Sequence, residues 1–228
     1  MTGVAFGDGK WVAVGESGII YSTDDGATWS ASGVSSGLQD VAYGDGSSDT
    51  KWVAVSQSAD SYRSTDGVSW TLLNLNSVLD LVNEGWMQSI CFGNNTWVSV
   101  GLAGNVYYAT DPSSDTNWTA VKYSGTENLL AVSYGEGPNN IPRFIAVGKT
   151  NTPVLIVSDD NGQSWSTGTL PGGFTGTGDS LLNGVAYGDS RWSVLGSYGD
   201  HLLSTDGGNT WSIIALDKYG AYDIAYRP

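Results

Sequence analysis

The sequence is poor in the residue types that most often build reactive or cross-linked sites. Its 228 residues include one cysteine, one histidine and two methionines. With Cys91 alone, no disulfide can form within the chain, and a small buried side chain is its expected role. With His201 alone, a Ser-His-Asp triad or a histidine metal site has little support, and no metal or other cofactor is predicted.

Basic residues are also scarce. Nine Lys and Arg residues stand against 23 Asp and Glu residues, which gives a formal net charge of −14. Such a surface repels the phosphates of nucleic acids and of anionic membranes, so neither is expected as a partner. No apolar stretch is long enough to span a bilayer, and no signal peptide follows Met1, so membrane insertion is not predicted.

The composition instead favours β-structure. The chain contains 32 glycines, 10 tryptophans and 12 tyrosines, a mixture that suits short strands and tight turns. A cassette of the form Ser-x-Asp-x-Gly-x-Thr-Trp recurs about every 40 to 50 residues, which indicates a repeat architecture. Its copies occupy residues 22–29, 158–165 and 204–211, with looser versions at residues 64–70 and 109–118.

Each cassette is predicted to lie between the third and fourth of four short strands. The first strand ends in an aromatic residue, and the second begins with an aromatic residue followed by small apolar residues. Four such strands form one antiparallel sheet, and five sheets packed radially would cover one another's faces. The sequence therefore predicts an all-β, five-bladed β-propeller in a single domain, residues 1–228, with blades at residues 1–36, 37–86, 87–128, 129–181 and 182–217.

Residues 222–227 repeat the first strand without the other three. Closed propellers usually join their two termini within one blade, so we expect this C-terminal strand to complete the first blade. The N-terminal copy around Val4 would then lie beside it or be displaced. The alternative is a fragment of a longer array.

The cassette resembles the Asp-box, or bacterial neuraminidase repeat, of sialidases, sortilin-type receptors, xyloglucan hydrolases and photosystem II assembly factors. The resemblance implies a β-propeller in which the box is a structural turn, on the side away from the usual binding face. Turn chemistry gives the same role, because Asp and Ser accept backbone N–H bonds and glycine adopts a positive φ. The residues assigned to this role are Asp24, Gly26, Trp29, Asp66, Trp70, Asp111, Trp118, Asp160, Gly162, Trp165, Asp206, Gly208 and Trp211.

The resemblance also raises sialidase activity, which the residues do not support. Sialidases hold the substrate carboxylate with three arginines, but this chain has four in all, and Arg143 and Arg191 share one repeat position before the second-strand aromatic residue. The Arg-Ile-Pro signature is absent, and sialidases typically have six blades. A photosystem II assembly factor is a weaker alternative, because such factors typically have seven blades and a basic patch. A glycan-processing hydrolase that uses two loop carboxylates is the alternative function.

Six aromatic residues lie outside the repeat pattern. Nine of the ten tryptophans belong to the second strand or the cassette, which leaves Trp86. All six lie in segments that join blades, or join second to third strands, so we expect them on one loop face opposite the boxes. Aromatic rings beside carboxylates and amides suit a sugar or a protein ligand. The candidate ligand-binding residues are Trp86, Tyr123, Phe174, Tyr198, Tyr219, Tyr222, Glu84 and Asp200.

The predicted function is therefore that of a non-catalytic binding or structural propeller. Its partner is expected to be a glycan or a protein, bound on the loop face. The predicted location is extracellular or on the surface of a virion or bacterium, as part of a larger assembly, and the cytoplasm is the alternative.

Overall fold

The protein is described by a computed structural model that covers residues 1–57, 60–75, 86–149, 152–172, 174, 182–215 and 223–224. In these residues, twenty strands form five four-stranded sheets, and within each sheet the strands lie side by side in their order along the chain. This confirms the predicted all-β architecture of five four-stranded sheets. Within the same residues, no helix combines the length and the apolar character needed to cross a membrane.

The chain divides into two compact units. The first unit comprises Met1–Gly101 and Val106–Ala120 and contains sheet 1, sheet 2 and most of sheet 3. The strands of sheets 1 and 2 are β1 (Gly3–Gly7), β2 (Lys10–Gly15), β3 (Gly18–Ser22), β4 (Ser30–Ala31), β5 (Asp40–Tyr43), β6 (Trp52–Val55), β7 (Asp60–Ser64) and β8 (Thr71–Asn74). Those of sheet 3 are β9 (Met87–Gly93), β10 (Thr96–Gly101), β11 (Asn105–Ala109) and β12 (Thr119–Lys122).

Among the described residues of the first unit, two apolar clusters are each shared by adjacent sheets. One joins Val12 of sheet 1 to Trp52 of sheet 2, and the other joins Val53 of sheet 2 to Trp97 of sheet 3. Trp52 and Trp97 are at most 1% exposed. Burying a side chain of this size contributes on the order of 3 kcal/mol, so the regularly spaced second-strand tryptophans stabilise the packing of sheet on sheet.

The second unit comprises Leu102–Asn105 and Val121–Pro228. Its two sheets share one apolar cluster, in which Ile145 and Val147 of sheet 4 pack with Val185 and Trp192 of sheet 5. The strands of these sheets are β13 (Leu129–Glu136), β14 (Pro142–Lys149), β15 (Pro153–Ser158), β16 (Ser166–Thr167), β17 (Leu182–Gly188), β18 (Arg191–Gly196), β19 (Asp200–Ser204) and β20 (Ser212–Ala215).

An aromatic residue near the end of a first strand packs on a glycine of the neighbouring sheet. In the first unit the ring of Tyr43 covers Gly7, and in the second unit the ring of Tyr187 covers Gly135. A Cβ atom at either glycine would overlap the ring. Glycine therefore follows the first-strand aromatic residue because the ring of the next sheet occupies the space that a side chain would need.

The first strand of sheet 1 is the N-terminal copy of the motif. β1 pairs with β2 along its whole length, so the prediction that the C-terminal strand, residues 222–227, completes this blade is wrong on this point. The turn between β1 and β2 is only Asp8-Gly9, and both residues have positive φ. Closing so short a hairpin costs less entropy than pairing with a segment about 200 residues away. Asp223 lies instead beside Gly184 of sheet 5, and residues 222 and 225–228 lie outside the described residues.

Candidate functional site

Each Asp-box lies between the third and fourth strands of its sheet, as predicted. In sheet 1, Ser22 Oγ donates to Asp24 Oδ1 at 2.8 Å and accepts from the Gly26 N–H at 2.9 Å. Thr28 donates its N–H to Asp24 Oδ1 and its hydroxyl to Asp24 Oδ2, at 2.8 and 2.6 Å. Trp29 Nε1 donates to the carbonyl of Gly26 at 3.0 Å. The serine and aspartate side chains thus hold the turn, and the indole anchors to its glycine.

The same bonds recur in sheets 4 and 5. Ser158 Oγ accepts from the Gly162 N–H and Ser204 Oγ from the Gly208 N–H, each at 2.9 Å. Asp160 and Asp206 each accept a hydroxyl proton at 2.6 Å, from Ser164 and Thr210. Trp165 Nε1 donates to the Gly162 carbonyl at 3.0 Å, whereas the buried Nε1 of Trp211 has no partner among the described residues.

The two looser boxes keep the aspartate and change its partners. In sheet 2, Asp66 Oδ1 accepts from the N–H groups of Val68 and Ser69, and Trp70 Nε1 donates to the Gly67 carbonyl. In sheet 3, Asp111 accepts from the N–H and the hydroxyl of Ser113. Trp118 is 3% exposed, and within the part of the chain that the structure describes its Nε1 has no hydrogen-bond partner. All five aspartates therefore accept hydrogen bonds within their own turns.

These bonds stabilise the ionised carboxylates. The hydroxyl and N–H of Thr28 lower the pKa of Asp24 from 3.8 to about 2. At Asp66, Asp160 and Asp206, burial raises the pKa, but bonds from the turn outweigh it and leave the pKa lowered. Among the described residues, no group of three or more His, Cys, Asp and Glu side chains could hold a metal ion. The polar side-chain atoms of the boxes thus form their hydrogen bonds within the turn itself.

The described candidate loop residues differ in exposure and packing. Trp86, the residue before β9, is 50% exposed. Tyr123 is 8% exposed, and its hydroxyl lies 2.7 Å from Thr167 Oγ1. Phe174 packs against the apolar cluster of sheets 4 and 5, and Asp200 is half-buried at the start of β19. Tyr198 lies in a 3-10 turn and its side chain is outside the described residues, as are Glu84, Tyr219 and Tyr222 entirely.

The single histidine faces a serine across two strands. His201 Nε2 lies 3.4 Å from Ser193 Oγ, a long distance for a hydrogen bond. Burial lowers the pKa of His201, and burial also raises the pKa of Cys91 well above its usual value, so this thiol stays protonated at neutral pH.

One buried cation in the second unit departs from the repeat. Arg143 is 6% exposed. Its Nε and Nη2 donate to the two carboxylate oxygens of Asp159 at 2.7 and 2.8 Å, and its Nη1 donates to the Gly207 carbonyl and to Asn209 Oδ1. Arg143 therefore joins the Asp-box of sheet 4 to the Asp-box of sheet 5. Two clefts flank it: one of about 300 Å³ includes Asp159, and one of about 390 Å³ includes Gly207 and Asn209.

Sequence reasoning missed this network because Arg143 and Arg191 occupy the same repeat position. Arg191 is exposed. A usable signal lies across the strand pair: Phe144 pairs with Ser158, so the residues next to them, Arg143 and Asp159, come opposite each other. In the other boxes the residue at that place is a threonine. Only sheet 4 has an acidic residue, Asp159, opposite a basic residue, Arg143, at this position.

Two segments of the chain, residues 20–31 and 156–167, match the family described as the BNR/Asp-box repeat. They are the boxes of sheets 1 and 4. No curated protein sequence matches the chain.

Solved structures share the fold. A structure of YCF48 bound to D1 peptide is 21% identical with a TM-score of 0.62, and the match covers 93% of this chain and 65% of that one. YCF48 from Cyanidioschyzon merolae is 15% identical with a TM-score of 0.55, over 96% and 86% of the two chains. The GH74 enzyme of Niastella koreensis is 19% identical with a TM-score of 0.62, over 92% and 29%. The chain thus spans about two thirds of the peptide-bound relative and a smaller part of the enzyme.

At these identities the likeness shows the fold alone. The fold and the two matched boxes agree with the turns seen between third and fourth strands in all five sheets. The protein carries Asp-box repeats and has a β-propeller fold with five four-stranded blades.

Proposed function

We propose that the protein is a non-catalytic binding protein that takes a protein partner at the loop ends of its sheets, with Trp86 as an anchor. The loop end of a sheet is the end at which the second strand joins the third. The observation that carries the proposal is the exposure of Trp86, which is 50%, against 1% or less for Trp52, Trp97 and Trp192 of the second strands.

The backbone that presents Trp86 is held in place. Its carbonyl lies where a Cβ atom of Gly101 would be, so only glycine fits at that position. The N–H of the next residue, Met87, donates to the carbonyl of Ser56 at 3.2 Å, and Met87 is fully buried. A half-exposed indole on a fixed backbone loses little entropy on binding, which is why tryptophan is enriched among residues that dominate interface energy.

A polar pair lies close to Trp86 in the chain. Gln88 follows it by two residues, and Gln57 Nε2 lies 3.5 Å from Gln88 Oε1. Amide groups near an aromatic ring offer donors and acceptors to a peptide backbone. The net charge of −14 favours a partner with basic or neutral character. The peptide-bound structure of YCF48 supports peptide recognition on a fold of this kind.

A glycan ligand at Trp86 is the competing possibility, because an indole also stacks on sugar rings. We further propose that the protein is not a hydrolase with two loop carboxylates, and that it acts outside the cell or on a virion surface. Two acids in predicted loops that such a hydrolase could use, Glu84 and Asp179, lie outside the described residues. A direct assay for glycan cleavage therefore has to accompany the binding test.

The test is selection of peptides from a random displayed library on the immobilised protein, with a glycan array run in parallel. Affinities of selected peptides are then measured for the wild type, for Trp86→Ala and for Leu72→Ala. Leu72 is the control, because it is 48% exposed in β8 and is not assigned to the site. We expect peptide affinity to fall about thirtyfold in Trp86→Ala, as for a hot-spot residue worth about 2 kcal/mol, and to stay unchanged in Leu72→Ala.

Equal affinities for Trp86→Ala and the wild type would contradict the assignment of the anchor. An empty peptide selection, with array glycans bound by the wild type and lost in Trp86→Ala, would overturn the protein partner in favour of a glycan. Cleavage of an array glycan would overturn the non-catalytic reading.

A further inference from the structure

A second surface of the protein has the features of a ligand site, on the side of the Asp-boxes. The cleft of about 390 Å³ next to Arg143 lies wholly within the second unit, between the turn that joins β13 to β14 and the Asp-box of sheet 5. At roughly 30 Å³ for each water, it would hold about a dozen water molecules. The polar side chains on its wall include Glu136, Asn139, Asn140, Thr205 and Asn209.

The wall is built by a turn that sheet 5, the other sheet of this unit, lacks. Sheet 5 joins its first two strands through Asp189-Ser190 alone, whereas sheet 4 inserts a 3-10 turn, Pro138–Asn140. The N–H of Gly137 donates to the carbonyl of Ile141 at 2.7 Å and closes this insertion. Asn139 and Asn140 both have positive φ, a conformation that asparagine tolerates better than most residues, and both side chains are exposed.

Arg143 does not line the cleft; it holds two lining residues, Gly207 and Asn209, and is itself unavailable to a ligand. It is 6% exposed, and its Nε, Nη1 and Nη2 all donate to protein acceptors. Gly137 leaves no room for a side chain above it, because a Cβ atom there would lie 2.8 Å from Arg143 Nε. Arg143 Nη1 holds Asn209 Oδ1 at 3.1 Å. The NH₂ group of Asn209 is then the group left to donate to a ligand.

The opposite wall offers an acceptor. Tyr187 donates its hydroxyl to Glu136 Oε2 at 3.0 Å, and Trp192 Nε1 donates to the Glu136 carbonyl at 2.8 Å. Burial, followed by the bond to Glu136, raises the pKa of Tyr187, so its hydroxyl stays a donor at neutral pH. These contacts fix Glu136 while its side chain stays exposed, and the second carboxylate oxygen can accept from a ligand.

The chemistry of the wall excludes three ligand classes. Among the described residues that line the cleft there is no Lys or Arg, so a carboxylate, sulfate or phosphate would meet Glu136 and Asp206 without a cation. The mostly polar side chains do not suit an apolar ligand. A lysine ammonium only donates hydrogen bonds, so it would offer no acceptor to the NH₂ groups of Asn139, Asn140 and Asn209.

A hydroxyl group, in contrast, both donates and accepts. A ligand with several hydroxyl groups could donate to Glu136 and accept from the three asparagine amides. The cleft volume, about 390 Å³, lies within the usual range of small-molecule sites. We infer that the cleft between the β13–β14 turn and the Asp-box of sheet 5 binds a neutral saccharide. This site is separate from Trp86 and does not depend on a protein partner.

The test is an NMR titration of the isotope-labelled full chain with three neutral probes: the methyl glycosides of mannose, galactose and N-acetylglucosamine. The methyl glycoside of sialic acid and a lysine amide serve as anionic and cationic probes. We expect at least one neutral glycoside to shift the side-chain amide signals of Asn139, Asn140 and Asn209 in a saturable way. The charged probes are expected to leave these signals unchanged.

Variants then locate the site. Glu136→Ala should weaken the neutral glycoside at least tenfold, and Thr205→Gln should do the same by filling the cleft. The matched control is Thr23→Gln, because Thr23 holds the same exposed place in the Asp-box of sheet 1. Thr23→Gln and Trp86→Ala should both bind as the wild type does. Near-ultraviolet circular dichroism checks that each variant is folded.

Several results would overturn the inference. Saturable shifts with none of the neutral glycosides would do so, and so would shifts produced by the lysine amide and lost in Glu136→Ala. Glycoside binding that survives both Glu136→Ala and Thr205→Gln but disappears in Trp86→Ala would assign the sugar to the loop end instead. That last result would overturn the saccharide site in the cleft. It would also favour a glycan over a protein as the partner bound at Trp86.

Discussion

Replacing Arg143 by alanine tests whether the network between the boxes of sheets 4 and 5 stabilises the protein. The variant removes four hydrogen bonds, two to the Asp159 carboxylate, one to the Gly207 carbonyl and one to Asn209 Oδ1. Arg191 provides a matched control, because it occupies the same repeat position in sheet 5 and is exposed.

The expected magnitude follows from the burial of each partner. The Arg143 side chain is 8% exposed, whereas that of Asp159 is 46% exposed. Solvent screening therefore reduces the value of the ion pair to about 1 kcal/mol. The Gly207 carbonyl and the Asn209 amide oxygen each lose a charged donor, at about 1 kcal/mol each. We expect Arg143→Ala to lower the free energy of unfolding by about 3 kcal/mol.

Thermal unfolding followed by tryptophan fluorescence measures this change. In a chain of this size, 1 kcal/mol corresponds to about 2–4 °C in Tm, so Arg143→Ala should lower Tm by about 6–12 °C. Arg191→Ala should change the free energy of unfolding by less than about 0.5 kcal/mol. Arg143→Met keeps most of the aliphatic stem and isolates the polar bonds from packing. If Arg143→Ala and Arg191→Ala melt together, the network contributes nothing and the reasoning is refuted.

Three further predictions concern the turns and the core. The pKa of Asp24 is lowered to about 2, so the stability that this carboxylate contributes is complete above about pH 4 and is lost as the pH falls through 2. The urea midpoint of unfolding should therefore fall less between pH 5 and pH 2 in Asp24→Asn than in the wild type. Gly135→Ala would overlap the Tyr187 ring and should destabilise by about 1–3 kcal/mol, whereas Gly172→Ala, in open space, should melt as the wild type does. Tyr123→Phe loses one side-chain hydrogen bond and should cost about 1 kcal/mol in chemical unfolding; a value near zero would mean that water replaces the bond.

Short-range pattern was enough to predict the sheets. The alternation in segments such as β2 and β18, and the glycine and aspartate turns between strands, are properties of adjacent residues. The same short-range pattern places the box between the third and fourth strands, because turn residues and strand residues are chemically distinct. Every repeat supplies an independent copy of the signal, so an irregular copy such as that of sheet 3 did not obscure the pattern.

Exposure could not be predicted in the same way. Tyr123 and Phe174 stood outside the repeat, as Trp86 did, yet Tyr123 is buried and Phe174 packs on the apolar cluster. Whether a loop ring turns inward depends on the space beneath the loop, which is a property of residues distant in sequence. Which first-strand copy fills sheet 1 likewise depended on a local two-residue turn rather than on the resemblance of the two copies.

The boxes themselves limit where binding can occur. Because their aspartates and serines accept bonds from their own turns, the repeated residues have few polar atoms left for a ligand. Recognition then has to come from residues that one sheet has and the others lack. Trp86 is such a residue at a loop end, and the 3-10 insertion of sheet 4, with Arg143 set against Asp159, is such a feature on the box side. Substituting a residue that is present in one sheet alone should therefore change binding more than stability. Arg143 is the exception, because its side chain also joins the Asp-boxes of sheets 4 and 5.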